Sequence, residues 1–195
     1  MEDFFEGGLR FPLPADAHTV GARSAYPGEF DDPPRPVNWE ILTAAEAAIA
    51  WVQVDEWVTW LRRTFALPAT TVPPFWHRHP ELVWELSALH THWLACYDPD
   101  ASPSAPNAWL RDLADSCARL REWVATSGTR LTQDQPSRQT FWPGEQPNTA
   151  PPEPNIADRA ADFRSFVADD LARRQRIEAS TRSLLEDEHA RRAGP

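Results

Sequence analysis

The stretch Trp76-His77-Arg78-His79-Pro80-Glu81 opens a segment, running to Trp93, that is rich in metal-ligating and acid/base residue types. It holds four histidines in two His-x-His pairs, with two glutamates between them. A zinc or iron centre needs three or four such side chains within about 2.0–2.2 Å of one point. His90 and His92 are adjacent-but-one, and on a helix two such positions point about 200° apart. His79 and His90 are separated by roughly 16 Å along a helix axis. The two pairs therefore do not share one ion, and the His-Glu-x-x-His spacing of zinc proteases is absent. His77 and His79 stand before the helix, where a site with Glu81, or with a histidine from another element, would define a metal-dependent enzyme. The favoured reading gives the imidazoles other tasks. His79 closes the helix N-terminus, His90 is a half-buried, hydrogen-bonded neighbour of the core, and His92 faces water. Glu81 and Glu85, one turn apart, resemble an acid/base pair but read as a solvated helix face. No metal and no cofactor are expected.

Other catalytic patterns are missing from the sequence. It has no Gly-rich phosphate loop, no Gly-x-Ser-x-Gly elbow and no Cys-x-x-Cys pair, and its seven glycines leave little room for a nucleotide cradle. The chain is accordingly expected not to be an enzyme. What remains of the histidine segment is an aromatic, partly basic surface for a partner, made of Trp76, His77, Arg78, His79, Glu81 and Trp84. Trp84 lies off the core stripe of its helix. It is either an exposed anchor or packed beneath the N-terminal arm or the Phe141-Trp142-Pro143-Gly144 turn.

Three helices must position these residues. The first spans 43–65: Thr43 and Glu46 form a capping-box pattern, and Ala47, Trp51, Val54, Val58, Leu61 and Phe65 recur on one face. Pro68 and Pro73-Pro74 then force an extended connection. The second spans 80–95, with Pro80 in its first turn, Glu81 favouring the helix dipole, and Leu82, Leu86, Leu89 and Trp93 as its core stripe. The polar, proline-rich 98–106 is a loop. The third helix spans 107–126 between Asn107 as cap and Gly128 as terminator, with Leu110, Leu113, Cys117, Leu120 and Val124 as its seam and Trp109 and Trp123 on the flank.

The architecture is thus all-α, with a Trp-rich three-helix core over 39–130. Of ten tryptophans, eight lie between Trp39 and Trp109, and each can bury ~150–250 Å². Of twenty prolines, thirteen fall before Trp39 or after Thr126, which marks 1–38 as a disordered arm and 131–155 as a linker. A long amphipathic helix over 156–192, capped by Asn155, follows. Its seam begins with Ile156, Ala160, Phe163 and Val167, is interrupted by Asp170 and Arg174, and resumes with Ile177, Thr181 and Leu184. This is too broken for a coiled coil, yet Phe163, Val167, Ile177 and Leu184 form an apolar stripe that needs a partner, its own core or another chain.

All nineteen basic residues are arginine, and the net charge is −10. No segment is basic, so nucleic acid is the less favoured partner. Arg173, Arg174, Arg176, Arg191 and Arg192 would carry that alternative, a DNA-associated regulator or transfer accessory. Cys96 and Cys117 sit among apolar residues and read as reduced core thiols. The acidic start MEDFFEGG lacks the basic region of a secretory signal, and no apolar run approaches the ~20 residues that span a bilayer. A cytoplasmic protein away from membranes is expected.

Several runs carry a family resemblance: Trp57-Val58-Thr59-Trp60-Leu61, then Val72-Pro73-Pro74-Phe75-Trp76-His77-Arg78-His79-Pro80-Glu81-Leu82-Val83, then Leu86-Ser87-Ala88-Leu89-His90 with Trp93, Tyr97-Asp98-Pro99 and Arg119-Leu120-Arg121-Glu122-Trp123. They lie within the region from Trp39 to about Arg130, which makes up nearly half of the chain. The region resembles an uncharacterised Trp-rich helical family of GC-rich Gram-positive bacteria, common on plasmids and integrative conjugative elements. In that family a cysteine often stands where this chain has Phe75. A Gly-Cys pair with a trailing histidine often stands near the position of Ser127-Gly128-Thr129. The resemblance implies a non-enzymatic accessory of a mobile element; the unpaired apolar stripe, the absent catalytic motifs and the flexible arms add the expectation of an adaptor that binds a protein partner or itself.

Overall fold

The computed structural model describes residues 34–135, 141–145 and 156–192. The arm up to residue 33, most of the linker and Asn155 lie outside the described residues. Four helices form: α1 (Ala44–Thr64), α2 (Pro80–Cys96), α3 (Ala105–Ser127) and α4 (Arg159–Arg192), with one 3-10 turn (Trp76–Arg78) leading into α2. There is no strand among the described residues, and the fold is all-α. Contacts run in the order α3–α2–α1–α4, and the 3-10 turn touches both α2 and α4.

Local chemistry sets the helix ends. At α1, the Thr43 hydroxyl accepts from the Glu46 N–H at 3.2 Å, while the Glu46 carboxylate accepts from the Thr43 N–H at 2.9 Å. The same helix closes with Leu67 N–H donating to the Arg62 carbonyl, which places Ala66 in the left-handed region at φ 49°. Helix α2 begins with Pro80 in its first turn. Helix α3 starts at Ala105, two residues before the expected Asn107 cap. Pro106 fits the first turn because its missing N–H has no intrahelical duty there, so the loop is shorter than the prolines suggest.

The core is built from Trp39, the inner faces of α1 and α2, and one stripe of α3. That stripe holds Leu113, Cys117, Leu120 and Val124 as expected, and differs at its first position. Trp109, placed on the flank by the sequence, is fully buried and donates its indole N–H to the Leu89 carbonyl at 3.2 Å; Leu110 is exposed. The indole N–H finds an acceptor only on the inner side, and a leucine loses less by facing water than a tryptophan does.

The expected three-helix core carries a fourth wall. Phe163, Phe166, Val167 and Leu171 of α4 pack on it, and Trp51 meets Phe163 and Phe166 edge-on at 6.1 and 5.6 Å. Of the stripe that needed its own core or another chain, Phe163 and Val167 are engaged with the chain's own core, while Ile177 and Leu184 remain exposed. The polar residues that break the seam explain where one regime ends. Asp170 accepts from the Trp51 indole N–H at 3.0 Å and from Arg174 at 2.8 Å. Arg174 also donates to the Trp39 and Leu42 carbonyls at 2.9 and 2.8 Å. One turn on, the Glu178 carboxylate accepts from the Ala44 N–H at 2.6 Å, beside the positive end of α1. Helix α4 is fastened by satisfying orphan backbone groups at the start of α1.

Candidate functional site

Trp76, His77 and His79 are buried, at 2, 1 and 0% exposure. The expected binding surface is therefore reduced to Arg78, Glu81 and Trp84, and the other three members are corrected to interior residues. The 3-10 turn holds His77 and His79 in fixed and different directions. His77 Nε2 lies 2.8 Å from the Asp162 carboxylate in the first turn of α4. Arg78 reaches the same carboxylate with its Nε at 2.9 Å and its Nη2. His79 Nε2 lies 2.9 Å from Asp134, beyond the end of α3, and its Nδ1 lies 3.7 Å from Glu81. Asp134 is itself buried and also accepts from the Thr129 hydroxyl at 3.2 Å. The Trp-His-Arg-His-Pro run is an internal latch that ties α4 and the segment after α3 to the start of α2.

The two latch histidines differ in charge. Burial lowers His77 to about pKa 4, against the pull of Asp162 and with help from Arg159 and Arg78. The 2.8 Å contact has the geometry of an ion pair, but Arg78 already neutralises Asp162. His77 therefore acts as a neutral donor through Nε2–H. Its Nδ1 is buried without a partner among the described residues, and a proton there would have no acceptor. Burial also opposes charge on His79, yet Asp134 and Glu81 overcome it and raise the group to about 9. His90 is lowered to about 4 by burial. Instead of the expected hydrogen bond it has aromatic neighbours, Trp57 at 5.0 Å and Trp93 stacked at 6.3 Å. His92, expected to face water alone, bridges α2 to Asp112 of α3 at 2.8 Å.

No three His, Cys, Asp or Glu side chains converge on a metal-binding point among the described residues. Cys96 and Cys117 are buried free thiols. The arginines of the nucleic-acid alternative are drawn inward or along their own helix. Arg174 is buried, Arg173 pairs with Asp170, Arg192 pairs with Glu188, and Arg176 and Arg191 donate to carbonyls one turn back.

A groove of about 580 Å³ lies open between α4, the turn at 39–43 and the start of α2. Its floor holds Trp39, Trp51, Phe166 and Val83, and its rim carries Ile41, Trp84 and Ile177, which are 76, 39 and 54% exposed. Arg78, Arg173 and Arg182 line it together with Glu40, Asp170 and Glu178. Trp84 and Arg78 belong to this groove, as does Ile177. Sequence reasoning missed Trp39 and Ile41, which lie before the first helix and outside any periodic pattern. Trp84 is 39% exposed, and Trp142 of the turn at 141–144 is 73% exposed.

No helix among the described residues is long and apolar enough to cross a membrane. Comparison with known proteins finds no matching family model, no matching curated protein and no matching solved structure.

Proposed function

We propose that this chain is a non-enzymatic interaction protein that receives a helical segment of a partner polypeptide in the groove beside Trp84. The observation that carries the reading is the groove itself: an aromatic floor with large exposed apolar side chains and charges of both signs at its rim. Amphipathic helices are recognised by such surfaces through apolar anchors one turn apart, and exposed tryptophan is a frequent hot spot. The histidines that suggested catalysis support the reading in a second way, because His77 and His79 hold the groove wall in place. The sequence resemblance adds the setting of a mobile-element accessory in the cytoplasm.

The test is a photo-crosslinking residue at Ile41, at the groove rim, in cells that make the protein. The expected result is a covalent adduct with a polypeptide of defined mass, its own chain included, that is lost on Trp84→Asp. Absence of any polypeptide adduct, or an adduct indifferent to Trp84→Asp, overturns the proposal.

A further inference from the structure

Beyond Arg174 the core-facing stripe of α4 continues without cover from the other described residues: Ile177, Leu184 and Leu185 are 54, 62 and 52% exposed. Charges on this face are ordered in a particular way. Arg173 precedes Ile177 by one helical turn, and Glu188 follows Leu184 by one turn. Positions 173 and 188 have the same midpoint as positions 177 and 184, between Ser180 and Thr181.

We propose that a second copy of this chain is the partner, paired antiparallel through the outer half of α4 about a twofold axis beside Ser180 and Thr181. This rests on the groove-binding reading and names its occupant. One register sets Ile177 against Leu184 and Arg173 against Glu188, twice each by symmetry. A parallel pair in register would place Arg173 on Arg173 and Glu188 on Glu188, so charge selects the antiparallel form. The side chains of Arg173 and Glu188 are 57 and 52% exposed, free to turn from their intrahelical partners Asp170 and Arg192. Ser180 and Thr181 are small enough for close approach at the crossing. In this register, residues 184–191 of the second copy run beside 170–177 and across the groove mouth. There they meet the exposed Ile41 and Trp84. Covering those two residues with Ile177, Leu184 and Leu185 buries on the order of 1,000 Å² for the pair, the lower bound of a specific interface.

The experiment is sedimentation equilibrium of the full chain over ~1–200 μM, with circular dichroism to confirm folding of each variant. The wild type is expected to reach twice the 22.1 kDa of one chain. Leu184→Asp, far from the core, weakens pairing by at least ~100-fold. Arg173→Glu and Glu188→Arg each weaken it about 10-fold, because each homodimer then holds two like-charge pairs. An equimolar mixture of these two variants restores pairing, since every contact in the heterodimer is again of opposite charge. A strict monomer at 200 μM, a dimer indifferent to Leu184→Asp, or a mixture that binds no better than its components overturns the inference. A monomer that still gives the Trp84-dependent adduct with another polypeptide would leave the groove reading standing and remove only the second copy.

Discussion

His77 and His90 stay neutral down to about pH 4, while His79 keeps its proton up to about pH 9. These opposite shifts set the pH dependence of stability. The lowered pair resists protonation in the fold, whereas the unfolded chain takes up protons below about pH 6.5. Their contribution is therefore lost as pH falls from about 6.5 towards 4. The raised His79 contributes fully below about 6.5, and that contribution is lost as pH rises through about 9. Each proton is worth about 1.4 kcal/mol per pH unit inside its window. Urea unfolding at a series of pH values should give a maximum near pH 6–7. His90→Phe, which keeps the ring packing, should reduce the acid-side slope by about one proton; an unchanged slope would remove His90 from that limb. His79→Gln should flatten the alkaline limb and lower stability overall, because Asp134 loses its charged partner. A separate backbone effect belongs to the end of α1. Ala66 occupies the left-handed region that glycine enters freely, so Ala66→Gly should stabilise by about 0.5–1 kcal/mol in the same assay.

Helices α1 and α2 were legible because cap, period and proline all point to the same bounds. The start of α3 and its first inward residue were not: Pro106 reads equally as loop or first turn, and Trp109 and Leu110 compete for one inward position that only the distant Leu89 carbonyl decides. The latch was misread as a surface for a similar reason. Histidine and arginine look solvent-facing in sequence, and their carboxylates lie 85, 84 and 55 residues away. In α4 the break at Asp170 and Arg174 looked like a flaw in an apolar seam. It is the point where the helix meets the orphan carbonyls before α1. Arg174→Ala should cost about 2–4 kcal/mol, since it leaves the Trp39 and Leu42 carbonyls without their donor, while Asp170 keeps Arg173 and the Trp51 indole N–H. Arg173→Ala, one residue earlier and mostly exposed, should cost under about 1 kcal/mol. Equal losses for the two in guanidinium unfolding would contradict this division of α4.

At the scale of the molecule, α4 does two jobs in sequence order. Its first half completes the core through Phe163, Phe166 and Val167, and its second half presents an uncovered stripe whose charges suit a reversed copy of itself. If the halves are separate in energy, a chain ending after Ala179 keeps Arg174 and the Glu178 contact to Ala44 while losing Leu184, Leu185 and Glu188. Binding confined to the folded form raises the apparent melting temperature with concentration. The full chain should therefore melt higher at 200 μM than at 2 μM, by a few degrees for each ~1 kcal/mol gained. The shortened chain should melt at the same temperature at both concentrations, close to that of the full chain at 2 μM. A shortened chain that melts well below the dilute full chain would show instead that residues 180–192 support their own core. Its exposed leucines would then need a different account from pairing.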